Sequence, residues 1–134
     1  VRAGLDKHFS ISPNISREEK LEFLKNLTVF SVPARYPEAF GLYVVEAMLA
    51  GVPVVLPESG AFPEIVESTK GGKLYDPSIS GKLTETLDDV LSDPQVARYI
   101  GIRAHEAVLE KYANEKLAKR LVDTVTSPSP VNQE

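Results

Sequence analysis

The stretch Leu42-Tyr-Val-Val-Glu-Ala-Met-Leu-Ala-Gly-Val-Pro-Val-Val-Leu56 decides the fold. Its first part, Leu42 to Ala50, is apolar around almost the whole circumference of a helix, which predicts burial on most faces. Gly51 supplies the residue type at which such helices stop. Val52 to Leu56 is then short and apolar on both faces, as strands are in a parallel sheet covered from two sides.

The neighbouring segments repeat the alternation. Thr28-Val-Phe-Ser-Val32 is β-branched, short and bounded by Pro33, which predicts a buried strand. Before it, Ser16 and Glu19 have the form of a capping box, and Leu21, Phe23, Leu24 and Leu27 follow at roughly helical spacing, predicting a helix over 17–27. After Leu56 come a turn at Ser59-Gly60, a short helix from Pro63 to about residue 67, a turn at Gly71-Gly72 and a brief strand over 73–75. The remainder reads as helix over 79–92, over 94–112 with Asp93 as cap, and over 114–126 with Asn114 as cap. Strands alternating with helices predict an α/β, Rossmann-like three-layer domain: a mostly parallel sheet with helices on both faces and a helix-rich C-terminal third. Such sheets bind ligands at the carboxyl ends of their strands, where the loops 33–40 and 57–62 leave.

A chain of 134 residues with 43% hydrophobic and 25% charged residues is sized for one core. One domain is expected over 1–126, with residues 127–134, a Ser/Pro-rich tail without apolar periodicity, disordered. The chain has no cysteine, so disulfides, thiolate metal sites and cysteine nucleophiles are excluded, and a reducing compartment suits it. Fifteen basic residues are scattered among nineteen acidic ones for a net charge of −4, which argues against nucleic acid or anionic membrane as a general partner. No apolar run approaches the roughly 20 residues that span a bilayer, and the first residues lack a signal-peptide layout. A cytoplasmic domain without direct membrane contact is the expectation. The start at Val1 in place of Met suggests a piece of something longer.

Two features point to ligand chemistry. Glu46 is the only charge on the Leu42–Ala50 segment, and a buried carboxylate needs hydrogen-bond donors. Those donors are either structural, such as a backbone amide cluster or Arg35, or the hydroxyl pair of a ligand. Phe40-Gly41-Leu42 opens the same helix, where free N–H groups and the positive dipole end favour an anion and glycine permits close approach. Glu46 lies one turn beyond Leu42, on the order of 6 Å away, so anion and diol would be spaced as in a nucleotide. A glycine at a helix start is, by itself, more often simply a turn.

Other residues read as structural. His8 and His105 have no metal-ligand neighbours at useful spacing, and His105 falls on a polar helix face. Glu64 suits the first turn of its helix. Asp88-Asp89, Glu106, Glu110 and Lys111 read as solvated faces, and Tyr36 as a loop aromatic able to reach a sugar or base. Neither the dinucleotide glycine fingerprint nor the P-loop pattern is present.

Ser31-Val-Pro33, Glu38-Ala-Phe-Gly41, Glu46-Ala-Met48, Gly51-Val-Pro-Val-Val55 and Gly60-Ala-Phe-Pro-Glu64-Ile-Val together resemble the donor-binding segment of family-4 retaining glycosyltransferases of the GT-B fold, over residues 31–76. Two glutamates eight positions apart, with a glycine three after the first, carry the resemblance. It implies a catalytic-site role for Glu38, holding hydroxyls of the transferred sugar. It further implies diphosphate binding by the Phe40, Gly41 and Leu42 amides, ribose binding by Glu46, and a place beside the donor sugar for Gly60 and Ala61. Ala61 stands where many relatives have a second glycine, narrowing the sugar pocket. The implied partner is a nucleoside-diphosphate sugar (NDP-sugar), with no cofactor and no metal. The family's upstream Arg and Lys pair and its N-terminal acceptor domain are missing, so this chain alone is expected to be inactive. The rivals are a nucleotide-sugar 2-epimerase half, which would not require the Glu38 to Glu46 spacing, and a non-catalytic flavodoxin-like binding domain. Glu46 bonded to protein and a covered Gly41 helix end would mark the latter.

Overall fold

The capping signals place the helices. In the computed structural model, which describes residues 4–112, Glu19 N donates to Ser16 Oγ at 3.2 Å and Ser16 N to Glu19 Oε2 at 2.7 Å, and α1 (Arg17–Lys25) begins there. Next come β1 (Phe30–Ser31), α2 (Leu42–Leu49), β2 (Val54–Pro57), α3 (Phe62–Thr69), β3 (Gly72–Tyr75), α4 (Lys82–Leu91) and α5 (Pro94–Tyr112). Asp93 Oδ1 accepts from Gln95 N at 2.9 Å, closing the start of α5 as the sequence predicts. The helix expected over 114–126 and the tail 127–134 lie outside the described residues.

The strands form a parallel sheet in the order β1-β2-β3, with Phe30 opposite Val54 and Val54 opposite Gly72. β2, in the centre, is buried along its whole length. Its side chains alternate as pleating requires. Val54 and Leu56 enter one core with Val44, Ala47 and Met48 of α2, Phe62, Ile65 and Val66 of α3, and Ala104 and Val108 of α5. Val55 turns to the opposite face, where Tyr75, Val90 of α4 and Ala97 at the start of α5 cover it. These two cores are the physical content of the three-layer expectation, and the doubly apolar run Val52 to Leu56 predicted them.

Several boundaries differ. β1 is two residues long, because only Phe30 and Ser31 find partners on β2. Gly72 belongs to β3, since the ladder begins at the Val54 pair. α4 starts at Lys82, after Gly81 takes a left-handed conformation that a helix interior does not use. Among the described residues no helix is long and apolar enough to cross a membrane.

Candidate functional site

Because β1 and β2 run parallel, the loops that leave them emerge at the same sheet edge, and they are fastened there. Ala61 N donates to the Glu38 carbonyl at 2.8 Å. Gly60 lies against the Glu38 backbone with φ +58, so close that a Cβ would stand 2.5 Å from Glu38 N and nearer still to its carbonyl oxygen. Only glycine fits both requirements. The structure thus brings Glu38, Gly60 and Ala61 together, across a separation in sequence that spacing alone does not bridge.

Glu38 is half-buried at the entrance of α2. Its Oε2 accepts from the Tyr43 hydroxyl at 2.6 Å, and its Oε1 from the amides of Ala39 at 3.0 Å and Phe40 at 3.3 Å. The Tyr43 hydroxyl, then the amides, hold the carboxyl below the usual glutamate range, so it is ionised at neutral pH. Tyr43 is pushed up to about 12, by its own burial first and by Glu38 second. Its ring is steadied against Phe30, with centroids 6.4 Å apart. Tyr43 was not singled out from the sequence. The available signal was a hydroxyl-bearing residue in the first turn of an otherwise aliphatic helix that follows a carboxylate.

Phe40, Gly41 and Leu42 are at the start of α2. Gly41 has φ +64 and, lacking a side chain, supplies no side-chain cap. Gly41 is itself buried: a Cβ there would meet the end methyl Ile65 Cδ1 at 2.9 Å, which that side chain can yield, so the left-handed backbone is what favours glycine. Phe40 is 85% exposed. In this structure the Phe40 amide serves the Glu38 carboxylate.

The expectation of a deeply buried Glu46 is corrected. Its side chain is 35% exposed, and Lys20 of α1 reaches both oxygens, at 3.0 and 3.1 Å. The partner is neither Arg35 nor an amide cluster. Lys20 escaped the sequence reading because an ion pair between helices 26 positions apart leaves no periodic trace. A Glu46 bonded to protein and a buried Gly41 are the marks set for the flavodoxin-like rival. Both are present, the Glu46 pair in a form partly open to solvent.

The remaining residues fall mostly as read. Glu64 is in the first turn of α3, and Tyr36 is 82% exposed. Glu106, Glu110 and Lys111 are exposed, and Asp89 pairs with Lys73 of β3. His8 is exposed. His105 has a structural partner: its Nδ1 lies 2.6 Å from the carbonyl oxygen of Leu49, tying α5 to the C-terminal end of α2.

A family model described as Glycosyl transferases group 1 matches residues 2–107. Over 120 residues the chain is 30% identical to the MMP alpha-(1->4)-mannosyltransferase of Mycolicibacterium hassiacum, covering 89% of this chain and 29% of that protein. Among solved structures, the sucrose-phosphate synthase of Thermosynechococcus elongatus superposes with a TM-score of 0.78 at 27% identity, over 90% of this chain and 30% of that one. Alr3699/HepE of Anabaena, solved in complex with UDP, gives 0.66 at 26% identity, over 80% of this chain and 29% of that one. The chain therefore spans less than a third of the length of each of these relatives.

Proposed function

Given that the chain belongs to the group 1 glycosyl transferases, we propose that it forms the donor-binding half of an enzyme that moves a sugar from a nucleoside diphosphate to an acceptor hydroxyl. One observation carries this reading. The two strand-exit loops are fastened at Glu38 and Gly60, which puts an ionised carboxylate beside the start of α2 at one sheet edge. Parallel sheets take ligands at that edge. The UDP complex of a relative of the same fold supports a nucleoside diphosphate as ligand.

In this reading the start of α2 at Gly41 and Leu42 receives the diphosphate, with Phe40 giving up its amide from Glu38 as the donor enters. Glu46 accepts the ribose hydroxyls. Lys20 binds both carboxylate oxygens, so a ribose diol must share or take that edge. Glu38 holds sugar hydroxyls while the glycosidic bond to the diphosphate breaks, and Gly60 and Ala61 bound the sugar. The resemblance favours front-face attack with retained configuration, no cofactor and no metal. The acceptor and the remaining phosphate contacts belong to parts of the enzyme beyond this chain.

The test is titration of the chain with uridine, guanosine and adenosine diphosphates, followed by amide chemical shifts. Perturbation confined to residues 38–46 and 58–62 is expected, with weak affinity. Silence of those residues to all three at millimolar ligand refutes the donor site.

A further inference from the structure

Glu38 has flexible torsions, and a carboxylate at a loop tip is not ordinarily held still. Here both oxygens are. An ionised carboxylate offers about four lone-pair positions. The Ala39 and Phe40 amides take two on Oε1, the Tyr43 hydroxyl takes one on Oε2, and the Gly41 amide also favours the ionised carboxylate, which leaves at most one position on Oε2. Tyr43 can serve as an anchor because it is fixed itself: it stands in the first turn of α2, half-buried, with its ring against Phe30 of β1. Its bond to an ionised acceptor is short, as charge-assisted bonds are.

Resting on the donor-site reading above, we propose that Tyr43 is a positioning residue for Glu38, fixing its carboxylate so that a single Oε2 acceptor position faces the donor sugar. Tyr43 acts through Glu38 and does not itself touch the sugar. Removing its hydroxyl leaves the carboxylate pivoting on Oε1 and opens a second acceptor position, so the sugar is held less uniquely while the nucleotide is held as before.

Tyr43→Phe keeps the ring and deletes only the hydroxyl. In the 134-residue chain, the Glu38 carboxyl carbon followed by NMR should titrate at higher pH in the variant. In the complete enzyme that contains this chain, kcat should fall on the order of tenfold, the loss of one hydrogen bond to a charged group, while KM for the donor changes less than about twofold. A Tyr43 that only supports the fold would lower the melting temperature and leave the Glu38 titration in place. That result overturns the proposal, as does a raised KM with unchanged kcat. If Tyr43→Phe does not fold, site-specific 3-fluorotyrosine, a stronger donor of the same shape, should move the Glu38 titration lower, and no movement again overturns it. If the nucleoside diphosphates leave residues 38–46 unperturbed, the donor-site reading and the proposal fall together. If one binds and Tyr43→Phe matches the wild type in titration and kcat, the proposal alone falls.

Discussion

Replacing Gly60 with alanine tests whether the two strand-exit loops are fastened as described. Two costs arise at that position. An L-residue at φ +58 is destabilised by roughly 1–2 kcal/mol relative to glycine. The new methyl would also stand 2.5 Å from Glu38 N, against backbone that cannot swing away like a side-chain tip, and such overpacking adds roughly 1–3 kcal/mol. The sum is about 2–5 kcal/mol, a large share of the roughly 5–15 kcal/mol that holds a small domain together. Gly51→Ala separates the two costs, because Gly51 has φ +79 and open space where its Cβ would lie. It should lose only the backbone part, about 1–2 kcal/mol. Urea unfolding followed by circular dichroism gives both values, provided the slopes agree. The strain has one exit, withdrawal of the β1–α2 loop, which breaks the Ala61 to Glu38 hydrogen bond and carries the carboxylate away from the sheet edge. Gly60→Ala should therefore also shift the Glu38 amide and carboxyl resonances, whereas Gly51→Ala should not. Equal stability losses in the two variants, with Glu38 unmoved in both, would refute the close approach and the site built upon it.

Other outcomes follow from the same geometry. Lys20→Met should lower unfolding stability by no more than about 1 kcal/mol in urea melts, because both partners are more than a third exposed and solvent screens the pair. Phe62→Ala should cost about 3–5 kcal/mol, since the ring is fully buried beneath Gly41, and a loss below about 1 kcal/mol would contradict that packing. Glu19, Glu38 and Asp76 all have depressed carboxyls, held chiefly by the Ser16 backbone, the Tyr43 hydroxyl and the Ser78 side chain respectively. Because their folded values lie below the unfolded ones, their contribution is complete above the ordinary carboxylate range and is lost as pH falls through the folded values. Thermal melts should thus drop below about pH 4.5, and Glu19→Gln, which removes the titrating carboxyl that the Ser16 backbone N–H holds, should flatten that acid limb. An acid limb identical to wild type would remove the capping box from the explanation.

What the sequence showed and what it hid divide along physical lines. The capping box, the Asp93 cap and the doubly apolar β2 were legible because each is a local pattern, read within a few residues or along one strand. The Glu38 to Glu46 stretch was legible as a family signature, by residue type and spacing. Its environment was not. Lys20 meets Glu46 through the packing of α1 beside α2, which periodicity does not encode. Glu46 was expected in the core because its helix is apolar almost all round, yet Leu49 of that helix is 44% exposed, so composition overstated how much of the circumference is covered. Gly41 was assigned to ligand approach, whereas its left-handed backbone already favours glycine there. β1 is shorter than its apolar run because a strand ends where its partner does.

The bond between the Glu38 carboxylate and the amides of Ala39 and Phe40 makes the residue a tethered competitor at the place where an anion would arrive. Joined to those amides by a few covalent bonds, it is present at an effective concentration in at least the millimolar range, whatever the surrounding solution contains. Dilute inorganic phosphate or sulfate would meet a Phe40 amide that is already occupied. On the donor-site reading proposed above, a nucleotide has a second handhold at Glu46, and the affinity gathered there is applied to freeing the Phe40 amide while Ala39 and Tyr43 still hold the carboxylate. On that reading small anions are rejected by the chain at rest, and a ligand that engages two points at once overcomes the rejection.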